Sequence, residues 1–155
     1  MKFKITDWIK NENISPLNWG DSAKEICNLF KNSSKEIISL KERNYPYIIL
    51  DFVEFYFTDT INFIDLNEII IKPMSLYKGI RTKYIEAGWL SRGLTFEVVS
   101  KKLTGLKLDW YIERGPHFNT PNIRTVSGQF FAFEKDGHTD NKAELLKIYL
   151  KKQIT

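Results

Sequence analysis

Leu90-Ser91-Arg92-Gly93-Leu94-Thr95 repeats the pattern of Leu17-Asn18-Trp19-Gly20-Asp21-Ser22, 73 positions earlier. Each stretch places a leucine, then a glycine, then a hydroxyl residue able to cap a helix. After Ser22 come Glu25, which completes a capping-box pattern, and the apolar stripe Ala23, Ile26, Cys27, Leu29 and Phe30. After Thr95, Val99 stands where Ile26 does and Leu103 where Phe30 does. Two short helices are therefore expected, over 21–31 and 96–104, the second stopped by Gly105.

Strand signals follow each helix. Glu36–Lys41 reads as a short strand and Arg43-Asn44-Tyr45-Pro46 as a turn. Tyr47–Thr58 reads as one aromatic and β-branched strand, and Asn62–Lys72 as another, stopped by Pro73. Met74–Trp89 is a connector in which Leu76, Ile80, Tyr84 and Ile85 suit a short helix. In the second half, Lys107–Glu113 is a strand, Arg114–Asn122 a loop and Ile123–Glu134 a long strand ending at the turn Lys135-Asp136-Gly137. Ala143–Lys152 suits either a strand or a helix, and the repeat favours the strand. The expected architecture is α+β: an antiparallel sheet with short helices on one face. It is built from two tandem helix–β-hairpin–strand repeats, about 17–72 and 90–151, that share one core in a single domain spanning 1–155.

Alternation then sorts side chains between the two faces. Val53, Phe55 and Phe57, with Phe131 and Phe133, go to the helix side. Phe52, Glu54 and Tyr56, with Gly128, Phe130 and Ala132, go to the other. Leu108 and Trp110 are assigned to the core, which sends Asp109 and Tyr111 to the second face. If no helix covers that face, its aromatics form a candidate binding surface.

Composition limits the function classes. In 155 residues and 18.3 kDa, 43% are hydrophobic and 14% aromatic, enough apolar mass to exclude disorder as the main state. The single cysteine, Cys27, excludes an internal disulfide and a cysteine-only zinc site, and its surroundings suit a small buried hydrophobe. Neither a signal-peptide run nor an apolar stretch of membrane-span length is read, so a cytosolic location is expected. The net charge of +4 hides an asymmetry: residues 1–77 sum to −2 and residues 78–155 to +6.

Catalytic signals are weak. His117 and His138 lie in loop patterns outside any spaced metal motif, and no phosphate loop, nucleophile elbow or dinucleotide fingerprint occurs. The carboxylates Asp51, Glu54, Asp59, Asp65 and Glu68 are split between faces and read as turn and edge residues. No cofactor, metal or enzymatic activity is expected. Single-stranded nucleic acid could stack on the sheet aromatics, but Tyr47–Thr58 contains no Lys or Arg to meet phosphate.

The Gly93-Leu94-Thr95 start with Val99 and Leu103, followed by Phe131-Ala132-Phe133 and Asp136-Gly137, resembles the tandem repeat of the β-lactamase inhibitor protein family. It also resembles small outer-membrane assembly lipoproteins, over roughly 17–71 and 90–150. The paired cysteines of the inhibitor and the lipidated cysteine of the lipoproteins have no counterpart here. The first half, from Leu17-Asn18-Trp19-Gly20 to Glu54-Phe55-Tyr56-Phe57, is similar to small bacterial immunity proteins of toxin–immunity systems, including contact-dependent growth inhibition. That resemblance implies a cytoplasmic inhibitor that occludes a cognate protein toxin, such as a nuclease domain. Phe52, Glu54, Tyr56, Asp109, Tyr111 and Phe130 are the expected partner-binding residues, with the acidic aromatic face meeting a basic cleft. The rival reading is a nucleic-acid-binding or regulatory module that uses the basic second half.

Overall fold

The computed structural model describes residues 2–153. In chain order the elements are β1 (Phe3–Lys4), α1 (Thr6–Asn11), α2 (Ala23–Leu29), α3 (Ser34–Glu42), β2 (Tyr47–Leu50), β3 (Val53–Asp59) and β4 (Ile64–Ile71). They continue with β5 (Ile85–Glu86), α4 (Phe96–Gly105), β6 (Trp110–Arg114), β7 (Pro121–Thr125), β8 (Phe130–Glu134) and β9 (Glu144–Lys151). Short 3-10 turns lie at Pro73–Ser75 and Asp140–Lys142. Seven strands form one antiparallel sheet in the order β2-β3-β4-β9-β8-β7-β6, while β1 and β5 pair in parallel beside it. The molecule is α+β, as expected, and mostly sheet.

The last strand of each half lies at the centre of the sheet, where β4 pairs with β9. From that seam β3 and β2 run outward on one side, and β8, β7 and β6 on the other. Local wiring is duplicated. Ala23, opening α2, donates its N–H to the Phe63 carbonyl at 2.9 Å, and Leu66 of β4 donates to Asp21 at 2.8 Å. Phe96, opening α4, donates to Ala143 at 2.8 Å, and Leu145 of β9 donates to Leu94 at 2.8 Å. Gly20 and Gly93 take φ of +96° and +84°, a left-handed bend that glycine enters without steric cost. A bulge at Asn67 of β4 lies opposite the Tyr56–Phe57 step of β3, and another at Leu146 of β9 lies opposite the Ala132–Phe133 step of β8.

All four helices contribute buried residues to one core beneath one face of the sheet. Val53, Phe55, Phe57, Phe131 and Phe133 are buried in it, as alternation requires. Phe55 lies against Trp8 of α1 and Phe30 at the end of α2, with ring centroids 6.4 and 5.8 Å away. Under the other half, Phe133 meets Phe96 of α4 at 5.5 Å. Cys27 is half-buried against this core.

Several elements differ from the sequence reading. Glu36–Lys41 is helical, within α3, because Ile37 and Leu40 at i and i+3 are buried while Ile38 points to solvent. Tyr47–Thr58 is two strands, joined at Asp51-Phe52. Ile123–Glu134 is also two, joined through Val126–Gln129, with Gly128 at φ +100° in that turn rather than on a strand face. The strand expected from Lys107 begins at Trp110, after Lys107 itself turns with φ +61°. The connector after Pro73 forms a 3-10 turn and β5 instead of a helix. The α1 segment was not anticipated.

The helix starts carry a testable charge. The Glu25 carboxylate accepts the Ser22 backbone N–H at 2.9 Å and also the Ser22 hydroxyl. These bonds, the side-chain one first, hold the Glu25 carboxyl below its ordinary value of 4.5. A depressed folded-state value stabilises the fold at pH above the ordinary value, and that contribution is lost as pH falls through the lowered one. Glu25→Gln should therefore cost about 1 kcal/mol near neutral pH and flatten the acid limb of stability between pH ~5 and ~3. Urea midpoints measured across that range check both effects.

Candidate functional site

Opposite the helices, the sheet has a second face that no helix of the described residues covers. Strand register defines one row across all seven strands: Ile49, Glu54, Ile70, Tyr149, Phe130, Arg124 and Tyr111. Tyr47 and Tyr56 lie beside it, with ring centroids 5.0 Å apart. On the other side of the seam Phe130 and Tyr149 are 6.0 Å apart, and the Arg124 guanidinium sits 4.6 Å over the Phe130 ring. Tyr47, Ile49, Tyr56, Phe130 and Tyr149 are half-buried, which is the exposure of side chains that pack sideways on a sheet without a cover.

Each carboxylate in the interior of this face has a cation beside it. Glu54 is 6% exposed; it accepts the Tyr56 hydroxyl at 3.0 Å and pairs with Lys72 at 3.4 Å. Burial first, and then this carboxylate, push the Tyr56 phenol far above its ordinary value. Glu68 pairs with Lys151 at 3.3 Å, and Glu113 pairs with Arg124. Lys147 adds a further positive charge opposite Ala132. The face is therefore aromatic, with its carboxylates paired and one positive charge in excess, whereas the sequence reading made it acidic, because β4's neighbour in the sheet is the lysine-bearing β9.

Phe52 does not belong to this face. It is 2% exposed and sits in the core, since the two-residue turn Asp51-Phe52 breaks the alternation that was carried through it. Glu54 is on the face but sealed between Tyr56 and Lys72. For that reason Glu54→Lys would set two lysines together in a poorly hydrated place and should destabilise the fold. Tyr56 and Phe130 are on the face and half-exposed. Tyr111 is 51% exposed on β6, and Asp109 lies exposed just before that strand. From β3 to β6 is five interstrand spacings, about 24 Å, so one contact reaching both Tyr56 and Tyr111 spans most of the sheet.

Comparison with protein-family models, curated proteins and solved structures finds no match. The chemistry of the face therefore rests on its own residues. Tyr47, Ile70, Arg124 and Tyr149 belong to it and were missed. Alternation in Ile148-Tyr149-Leu150 was a usable signal for Tyr149 once that segment was read as a strand.

His117 and His138 are exposed in separate loops. Among the described residues no group of His, Cys, Asp or Glu is arranged to hold a metal ion. Asp51 accepts backbone N–H bonds from Lys83, Tyr84 and Ile85 at 2.9, 2.8 and 2.8 Å, a structural clamp rather than an acid or base. No helix among the described residues is long and apolar enough to cross a membrane.

Proposed function

We propose that this chain is a cytoplasmic immunity protein that neutralises a cognate bacterial toxin, of the kind found in contact-dependent growth inhibition, by docking the open sheet face over the toxin's active site. The supporting observation is the uncovered row of half-buried aromatics flanked by paired charges. It combines rigid apolar anchors with polar groups already held in place, so little ordering cost is added on binding. The anchors are Tyr47, Tyr56, Phe130 and Tyr149, with Tyr111 at the rim. Glu54, itself paired with Lys72, holds the Tyr56 hydroxyl. Neutralisation of this kind works by occlusion and needs no chemistry from the immunity protein.

The test is growth rescue. The partner to use is the C-terminal domain of a large secreted protein encoded directly upstream of this gene. Its expression should arrest growth, and co-expression of the wild-type chain should restore it. The double variant Phe130→Ala, Tyr149→Ala should lose rescue while keeping the wild-type circular dichroism spectrum. Lack of such a neighbouring gene, or rescue by the double variant equal to wild type, would overturn the reading.

A second reading draws on one specific observation: Arg124 and Lys147 lie beside the stackable rings of Phe130 and Tyr149. A single-stranded nucleic acid on that half of the face would bind with affinity falling steeply as salt rises. A gel shift of a mixed-sequence oligonucleotide at two salt concentrations separates it from the protein-docking reading.

A further inference from the structure

The seven-stranded sheet has two edges, and they are treated differently. Edge strand β2 is flanked by α3, whose Lys35 and Glu36 gather, with Arg43 just after the helix, beside Ile49. The other edge, β6, has no strand beyond it among the described residues, and its residues Tyr111 to Arg114 are all exposed. Ile112 is 42% exposed on this edge. An uncovered edge strand is a template for pairing that proteins ordinarily blunt.

Hydrogen-bond phase shows which groups are free. Val126 donates to the Asp109 carbonyl and Gly115 to the Thr120 carbonyl, each at 3.0 Å. In an antiparallel ladder this alternation turns the main-chain groups of 109, 111, 113 and 115 toward β7. The N–H and C=O of Trp110, Ile112 and Arg114 therefore point out from the sheet edge.

We propose that β6 pairs antiparallel with β6 of a second copy of this chain, about a two-fold axis through Ile112, to make one continuous sheet. The sequence of the strand is complementary to itself in that register and phase. Ile112 meets Ile112 of the second copy, and Trp110 and Arg114 meet each other twice, so that every outward N–H and C=O of the strand finds a partner. On the helix side each Arg114, whose guanidinium pairs with Asp140 of its own chain at 2.8 Å, comes opposite a Trp110 of the second copy. On the open face each Glu113 comes opposite a Tyr111 hydroxyl. An axis through Arg114 would instead bring Pro116, which has no N–H, opposite Ile112. An axis through Trp110 would spend the pairing on Leu106 and Leu108, outside the strand. The interface is isologous and closes on itself, so it produces a dimer and stops.

Light scattering coupled to size exclusion tests this. The wild type should show a mass rising toward twice the 18.3 kDa chain as concentration increases from about 10 µM to 1 mM, as expected for a small edge-to-edge interface. Ile112→Lys and Ile112→Glu should each remain folded by circular dichroism and run as monomers. Because residue 112 faces itself across the axis, an equimolar mixture of the two should restore the dimer. A wild-type mass of one chain at every concentration overturns the proposal whatever the variants do. Dimers that persist in Ile112→Lys, or a mixture of the two variants that stays monomeric, overturn the edge or the register.

Discussion

Replacing Asp51 by alanine is expected to destabilise the protein by about 4 kcal/mol, a large part of the ~5–15 kcal/mol that holds a domain of this size. Two causes add. The side chain accepts three backbone N–H groups, from Lys83, Tyr84 and Ile85, and the last two are part-buried. Bonds from amides to a charged acceptor contribute about 1.5–3 kcal/mol each when removed singly, and less than additively together. The second cause is local. Asp51 has φ +55°, where aspartate is tolerated and alanine costs about 1–2 kcal/mol. Asp51→Gly should keep the first loss and remove the second, and so be about 1 kcal/mol milder than Asp51→Ala. Asp51→Asn keeps one acceptor and the left-handed tolerance and should fall between wild type and Asp51→Gly. Urea unfolding of the three variants orders them. An Asp51→Ala midpoint equal to wild type would mean that the clamp does not stabilise the fold.

The same residue explains what the sequence concealed. A turn built on glycine or proline announces itself, and Lys135-Asp136-Gly137 was read correctly. Asp51-Phe52 contains neither, and it lies inside an unbroken run of strand-forming residues. The partners that hold it open lie more than thirty positions away, in a segment with little pattern of its own. Carrying alternation through that turn put Phe52 on the open face and misplaced an anchor. The starts of α2 and α4 were legible because their caps are local: Ser22, Glu25 and Thr95 act within four residues of themselves. So were Val53, Phe55, Phe57, Phe131 and Phe133, since each lies within one strand and the period of two fixes its face. The charge character of the open face was not legible. It depends on β4 lying beside β9, and hence on Glu68 meeting Lys151, which no local rule supplies. Helix α3 was missed for a related reason. In Glu36-Ile37-Ile38-Ser39-Leu40 two adjacent isoleucines suit both periods, and only packing against β2 buries Ile37 and leaves Ile38 54% exposed.

Phe55→Ala should be the most damaging single truncation in the core, at about 3–5 kcal/mol. The ring is fully buried on β3 and stands where three parts of the chain converge: Trp8 of α1 edge-on at 6.4 Å, Phe30 closing α2 at 5.8 Å, and Ile48 and Ile69 paired on either side. A cavity there cannot be filled by collapse, because Trp8 is fixed by its indole N–H on the Ser15 carbonyl at 3.1 Å and the flanking strands are fixed by their ladders. Phe133, its counterpart in the other half, is 4% exposed and packs against Phe96, which itself leans on Trp110 near the free edge. That side can relax, so Phe133→Ala should cost about 1 kcal/mol less than Phe55→Ala. The two variants also differ in what they report. Loss of Phe55 alters the surroundings of Trp8 and should shift tryptophan emission in the folded state, whereas loss of Phe133 acts through Phe96 on Trp110. Denaturation followed by fluorescence and by circular dichroism measures both the ordering and the site of the change. Equal costs would mean that the two halves of the core are equally rigid. The free edge at β6 would then carry no mechanical consequence for the packing beneath it.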